Sequence, residues 1–222
     1  MKNNTKTPRT ENRKPAKKAT RQIILKAARK VFAQYAYHAA SIRMIGKKAG
    51  VDHPLISYYF PSKAILFEAV LADIMEEWQV ANAAWSEGID LMSPEKGLSL
   101  YIDRVLDFSR KRPYAAQVLM LNMVQAQDGE TIPGYQAIQT YFEESGQLLK
   151  SLASARTADS EIEKFRQSFF TLAMSYVGAR SYYAGILGMP PNSREYKEWV
   201  KGALMDLFLP RLKQLMFGKQ NP

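Results

Sequence analysis

One rhythm limits the folds open to this chain. From residue 20 almost to the C-terminus, apolar side chains recur every three or four positions, and each run stops at a Gly, Pro, Ser or Asp break. No stretch alternates apolar and polar residues with a period of two, so the expected fold class is all-α. Thr20 suits the N-cap of a first helix with an apolar set of Ile23, Ile24, Ala27, Ala28, Val31 and Phe32, ending near 35–37. Ser41 caps a short helix whose apolar side is Ile42, Ile45 and Ala49, stopped by Gly50. A second short helix starts at Asp52, accepts Pro54 in its first turn, and runs through Leu55, Ile56 and Tyr58 to Phe60. After Pro61, Ser62 caps a longer helix through Ile65, Leu66, Ala69, Val70, Ile74 and Trp78. Further helices are expected from 93 to about 111, over 114–126, 135–152, 160–187 and 193–217, the last kinked at Pro210, with a loop over 128–134. Three regions follow: a disordered basic arm (1–19), a small helical domain (20–66) and a larger helical domain (67–222).

The charge is lopsided. Residues 1–60 hold 14 lysines and arginines against Glu11 and Asp52, a net of +12, whereas the other 162 residues net −2. The arm accounts for part of this excess, but Lys26, Arg29, Lys30, Arg43, Lys47 and Lys48 lie in helical segments, which points to a polyanionic partner. With no cysteine and two histidines, thiolate chemistry and multi-histidine metal sites have nothing to work with. No glycine-rich phosphate loop or Ser/His/acid set is present either, so neither an enzyme nor a cofactor or metal is expected. No apolar run approaches the length of a membrane span, and a cytoplasmic protein is the expectation.

Residues 41–60 have the layout of a helix-turn-helix. Ile42, Ile45, Ala49, Val51 and Ile56 face inward, leaving Arg43, Lys47 and Lys48 to water. The second helix is too short to stand alone and must dock on the first, presenting His53, Pro54, Leu55, Ser57, Tyr58 and Tyr59. A helix of this size fits the DNA major groove, where base edges carry a readable donor and acceptor pattern. Hydroxyls and cations around it suit phosphate oxygens, as does the N-terminus of the helix starting at Lys63. Tyr58 and Phe60 suit core packing as readily as phosphate contact.

From Arg21 to Val70 the chain resembles the DNA-binding domain of the TetR/AcrR family of transcriptional regulators. The residues that carry the likeness are Ser41-Ile42-Arg43-Met44-Ile45-Gly46, Ala49-Gly50-Val51, Ser57-Tyr58-Tyr59-Phe60-Pro61-Ser62-Lys63 and Leu66-Phe67. The resemblance implies an N-terminal three-helix DNA reader and a C-terminal helical domain for ligand binding and homodimerisation. By position it gives Arg43, His53, Pro54 and Ser57 to base edges, and Ser41, Leu55, Tyr58, Tyr59 and Lys63 to the sugar-phosphate backbone. Leu55 cannot donate a hydrogen bond, so its contact would be apolar. Ala36 and Gly46 depart from the family habit, which is Gly at the first position and Ala at the second.

The larger domain has no comparable signature. The resemblance implies a pocket among its aromatic and methionine side chains, with Trp78, Tyr101, Phe108, Met120, Met123, Phe142, Met174 and Arg180 as candidates for a small apolar or aromatic effector; ordinary core packing is the competing reading for each. For Arg180 an internal acid partner is expected ahead of a ligand. Two apolar faces on the helix near 160–187 and the apolar set of the last helix point to a dimer interface built from Phe170, Met174, Gly178, Tyr182, Leu204, Leu207 and Phe208. The expected function is a ligand-responsive repressor on a palindromic DNA operator. The alternative is a basic helical protein binding RNA or anionic membrane surfaces without operator specificity.

Overall fold

Serine and aspartate side chains fix where five of the helices begin. In the computed structural model, which describes residues 13–123 and 132–218, Ser41, Asp52, Ser62, Ser93 and Ser193 each accept a hydrogen bond from the backbone N–H three residues on. Each cap of this kind is worth about 1 kcal/mol. They open α2 (Ile42–Ala49), α3 (His53–Tyr59), α4 (Lys63–Ser86), α5 (Pro94–Lys111) and α11 (Arg194–Phe217). The remaining helices are α1 (Arg13–Phe32), α6 (Pro113–Met123), α7 (Tyr135–Glu144), α8 (Gln147–Leu152), α9 (Asp159–Gly178) and α10 (Arg180–Ile186), with a 3₁₀ turn at Ile89–Leu91. No strand occurs among the described residues, and the all-α expectation holds.

Several boundaries differ from those read in the sequence. α1 begins at Arg13 rather than Thr20, because Lys14, Ala16, Lys17, Lys18 and Ala19 are good helix formers and Pro15 falls in the first turn, where it costs no hydrogen bond. The helical part of the expected arm is thus 13–19; residues 1–12 lie outside the described set, as does the 124–131 part of the expected connection. Within α1, Leu25 takes the buried place expected for Ile23, which is half-exposed. The helix expected over 135–152 is split at Ser145-Gly146, and the one over 160–187 at Ala179. α11 continues through Pro210 as one element.

The core is continuous from Ile24 in α1 to Leu215 in α11. At its N-terminal end Phe32 meets Phe67 edge-on at 4.8 Å, while about three turns further along α4 Trp78 packs on Tyr141 and Phe170. α4 therefore belongs to both halves, and the boundary expected after residue 66 falls inside it. Two polar ties reinforce the junction. Arg29 on α1 forms a bidentate pair with Glu77 (2.9 and 2.7 Å) and reaches Asp73, so this cation serves the interior rather than a polyanion. Asn122, 4% exposed at the end of α6, accepts from the Tyr37 N–H at 2.7 Å through its Oδ1 and donates to Val118 O.

Candidate nucleic-acid interface and interior cavity

The helix-turn-helix is held by few contacts, each with an evident cause. Ile45 and Ile56 are fully buried, one from each short helix, and clamp α3 onto α2. Gly50 closes α2 in the left-handed region (φ 69°), where a side chain would be strained. Gly46, the departure noted above, has a structural reason: a Cβ there would stand 2.8 Å from the Val51 carbonyl oxygen, so the turn folds closer than alanine permits.

This clamp sets which side chains face outward. His53, Pro54, Leu55 and Tyr58 are exposed on α3, with Ser57 and Tyr59 half-buried beside them. Ser57 Oγ and His53 Nδ1 lie 3.5 Å apart, one helical turn from each other. Arg43, Lys47 and Lys48 are exposed on α2 and form no ion pair among the described residues. Phe60 is buried against the Arg21 guanidinium, whereas Tyr58 is 63% exposed and accepts a hydrogen bond from Lys17 Nζ at 2.8 Å. Of the two aromatic residues with a divided reading, Phe60 is core and Tyr58 is surface. Ser41 is half-buried, its Oγ engaged as the N-cap of α2. Lys63, expected at a phosphate, is engaged within the subunit. Its ammonium donates to Tyr37 O (2.8 Å), Ala40 O (3.1 Å) and His38 O (3.4 Å), and lies 4.5 Å from the Tyr37 ring centre. All three protons of the group are committed to locking the loop between α1 and α2.

A cavity of about 150 Å³ lies between α4, α5, α7, α8 and α9. Trp78, Tyr101, Phe142 and Met174 of the expected pocket residues line it. The other four do not, for separate reasons. Phe108 packs outside it against Trp85 and the Arg112 guanidinium. Met120 fills the space over Gly178, and Met123 is partly exposed at the end of α6. Arg180 is satisfied by Asn192 Oδ1 (2.8 Å) and by the Val177 and Ser109 carbonyls, so its expected acid partner is replaced by neutral oxygens. Its pKa is lowered, burial being the main cause. Sequence reasoning missed Arg166, Asn82, Trp85 and Tyr141 in the lining. Burial pushes the Tyr101 hydroxyl up to about 12, opposed by Arg166, and pushes Tyr141 up as well; both stay protonated and act as neutral polar groups.

The expected dimer residues divide. Phe170 packs edge-on to Trp78 and Phe142, Met174 is buried in the cavity wall, and Gly178 lies against Ala116 and Met120. Leu204 and Phe208 are buried too, Phe208 between Phe165 and Phe169. These five hold the subunit itself together, because α6 and α11 cover both faces of α9. Tyr182 and Leu207 remain, 67% and 60% exposed, joined by Ile186 and Trp199.

A helix-turn-helix with an exposed outer face, joined through α4 to a helical body that holds a cavity, is a two-part helical architecture. Residues 24–70 match the family model of bacterial regulatory proteins, tetR family. The chain is 33% identical over 115 residues to the HTH-type transcriptional regulator RutR of Escherichia coli K12, a match covering 52% of this chain and 53% of RutR. It is 34% identical over 100 residues to the HTH-type transcriptional repressor NicS of Pseudomonas putida, covering 45% of this chain and 46% of NicS. The chain thus spans about half the length of the curated relatives it matches. Among solved structures it resembles a TetR-family transcriptional regulator from Agrobacterium tumefaciens (TM-score 0.63, 16% identity, 90% of this chain and 99% of that one). It also resembles the fatty acid degradation regulator FadR from Bacillus halodurans (TM-score 0.62, 18% identity, 99% and 100%). The match to the tetR family model is carried by the N-terminal helices, residues 24–70.

Proposed function

We propose that this protein is a DNA-binding transcriptional regulator of the cytoplasm, a ligand-responsive repressor that grips a palindromic operator as a homodimer. The observation that carries this reading is the outer face of α3. Its apolar side is spent on Ile56, leaving His53, Pro54, Leu55 and Ser57 at the surface beside the unpaired Arg43, which suits a helix lying in the major groove. Arg43, His53, Pro54 and Ser57 are assigned to base edges. Ser41, Leu55, Tyr58 and Tyr59 are assigned to the backbone of the duplex, together with Lys47 and Lys48. The exposed apolar side chains Tyr182, Ile186, Trp199 and Leu207 form the dimer surface, placing two reading helices about 34–36 Å apart on successive turns of DNA. An effector in the cavity favours a spacing that no longer spans both half-sites, and it acts only as far as it binds that form better than the DNA-bound one.

The test is competition binding by fluorescence anisotropy. A palindromic duplex selected from a random pool should bind more tightly than random duplex, RNA or anionic vesicles at moderate salt. Arg43→Ala should narrow the gap between selected and random duplex by roughly tenfold or more, the effect of losing a base contact. Equal binding to duplex, RNA and vesicles refutes the proposal and favours a nonspecific basic protein.

A further inference from the structure

The cavity wall carries a single formal charge among the described residues, and the backbone is shaped to hold it. Arg166 lines the cavity with its side chain 12% exposed. Its guanidinium donates to Phe142 O and Ser145 Oγ, where the helix stops between α7 and α8, and to Glu163, which is half-exposed on the solvent side. Gly146 at the break leaves room for the group, since a Cβ there would lie 2.5 Å from Nη1. No carboxylate lines the cavity. The rest of the wall is aromatic and aliphatic, with Asn82, Ser86, Tyr101, Ser109, Tyr141 and Ser145 as its neutral polar side chains. Tyr101 Oη donates to Asn82 Oδ1 at 3.2 Å, which leaves the Asn82 amide as a donor. Trp78, 3% exposed, has an indole N–H without an acceptor among the described residues. The wall thus offers a cation and the N–H groups of Trp78 and Asn82 as donors, while its side-chain acceptors are neutral hydroxyls and an amide oxygen, with no carboxylate among them.

We infer that the cavity takes a small single-ring aromatic carboxylate, its ring among Trp78, Trp85, Tyr101 and Phe169 and its carboxylate toward Arg166. This deepens the proposed function and rests on it for the claim that the occupant is an effector. Size sets the ring count, because an apolar cavity of about 150 Å³ holds a benzene-sized molecule. Charge sets the substituent. A cation would face the guanidinium in a region of low dielectric, and a plain hydrocarbon would leave the donors unsatisfied, whereas a carboxylate accepts from a fixed guanidinium in a charge-assisted bond.

Benzoate, benzamide and benzylamine share one ring and differ only in charge, so they are the probes, titrated into the full chain by calorimetry and tryptophan fluorescence. Benzoate should bind at least about tenfold more tightly than benzylamine, with benzamide between them. Arg166→Lys keeps the charge but loses the fork, and should weaken benzoate several-fold more than benzamide. Trp78→Phe removes the N–H and shortens the aromatic system; the void lowers the melting temperature, so the reading is the ratio of benzoate to benzylamine affinity in the folded variant, which should fall. Equal or tighter binding of benzylamine overturns the inference, as does benzoate affinity unmoved by Arg166→Lys. Operator binding separates the two readings. If the selected duplex binds but none of the three probes does at millimolar concentration, the cavity assignment fails and the regulator stands. If benzoate binds in the stated order without altering duplex affinity, the cavity chemistry stands and the ligand-responsive regulator fails.

Discussion

The substitution Lys63→Met keeps the stem of the side chain and removes only its ammonium. Two charge-assisted hydrogen bonds at 2.8 and 3.1 Å are lost, along with a longer one at 3.4 Å and the contact with the Tyr37 ring. Hydrogen bonds to a charged group are worth about 1.5–3 kcal/mol each and the ring contact about 0.5–1. Lys63 is half-buried, so water recovers part of this at the freed carbonyls, and a net loss of about 2–3 kcal/mol is expected. For a chain of this length that corresponds to a fall in melting temperature of about 4–12 °C. A lysine paired with phosphate behaves differently: its loss leaves the melt alone and reduces the slope of log affinity against log salt by about 1. The assay is therefore a pair of measurements, calorimetric melting and a salt titration of duplex binding well below the melt. A melt within 1–2 °C of wild type, together with the reduced slope, refutes the loop-locking role.

Three further perturbations test other parts of the structure. Asn122→Ala leaves the Tyr37 N–H without its acceptor and should cost about 1–3 kcal/mol in denaturant unfolding. The Asp103 carboxylate is pushed up by burial but held below the usual aspartate range overall by hydrogen bonds from Lys201 and Lys197. Its stabilising contribution is therefore complete above the ordinary value of about 3.9 and disappears as pH falls through the lowered one. The melting difference between wild type and Asp103→Asn should be full at neutral pH and close in acid; a difference independent of pH contradicts it. Leu207→Glu, on the exposed apolar surface, should give a monomer by analytical ultracentrifugation with unchanged helicity and weakened duplex binding; an unchanged assembly state removes this face from the interface.

What could be read in the sequence follows where local chemistry decides the structure. Ser41, Gly50, Asp52 and Ser62 each act on their own helix ends, so α2, α3 and the start of α4 were legible to the residue. The start of α1 was not, because a Lys- and Ala-rich segment suits a helix and a solvated arm equally well. The breaks at Gly146 and Ala179 depend on distant partners: the first accommodates Arg166, and the second turns α10 so that Arg180 reaches the Ser109 carbonyl. Arg166 itself reads as an ordinary surface cation three residues from Glu163. Its one sequence signal is its place among Ile162, Phe165, Phe169 and Phe170, which is too weak to single it out. Five of the expected dimer residues pack within the subunit because α9 does have two apolar faces, and nothing local says that α6 covers the second.

The long α4 helix has an implication for how any message could pass through this molecule. Severing the chain after residue 66 would cut α4 within its first turns and strip Phe67, Val70 and Leu71 of their helix, so the reader has no existence as a detachable module. Trp78 in the cavity wall and Phe67 in the N-terminal core stand on that one helix, so a ligand that displaced α4 at the cavity would have to repack Phe67 against Phe32 as well.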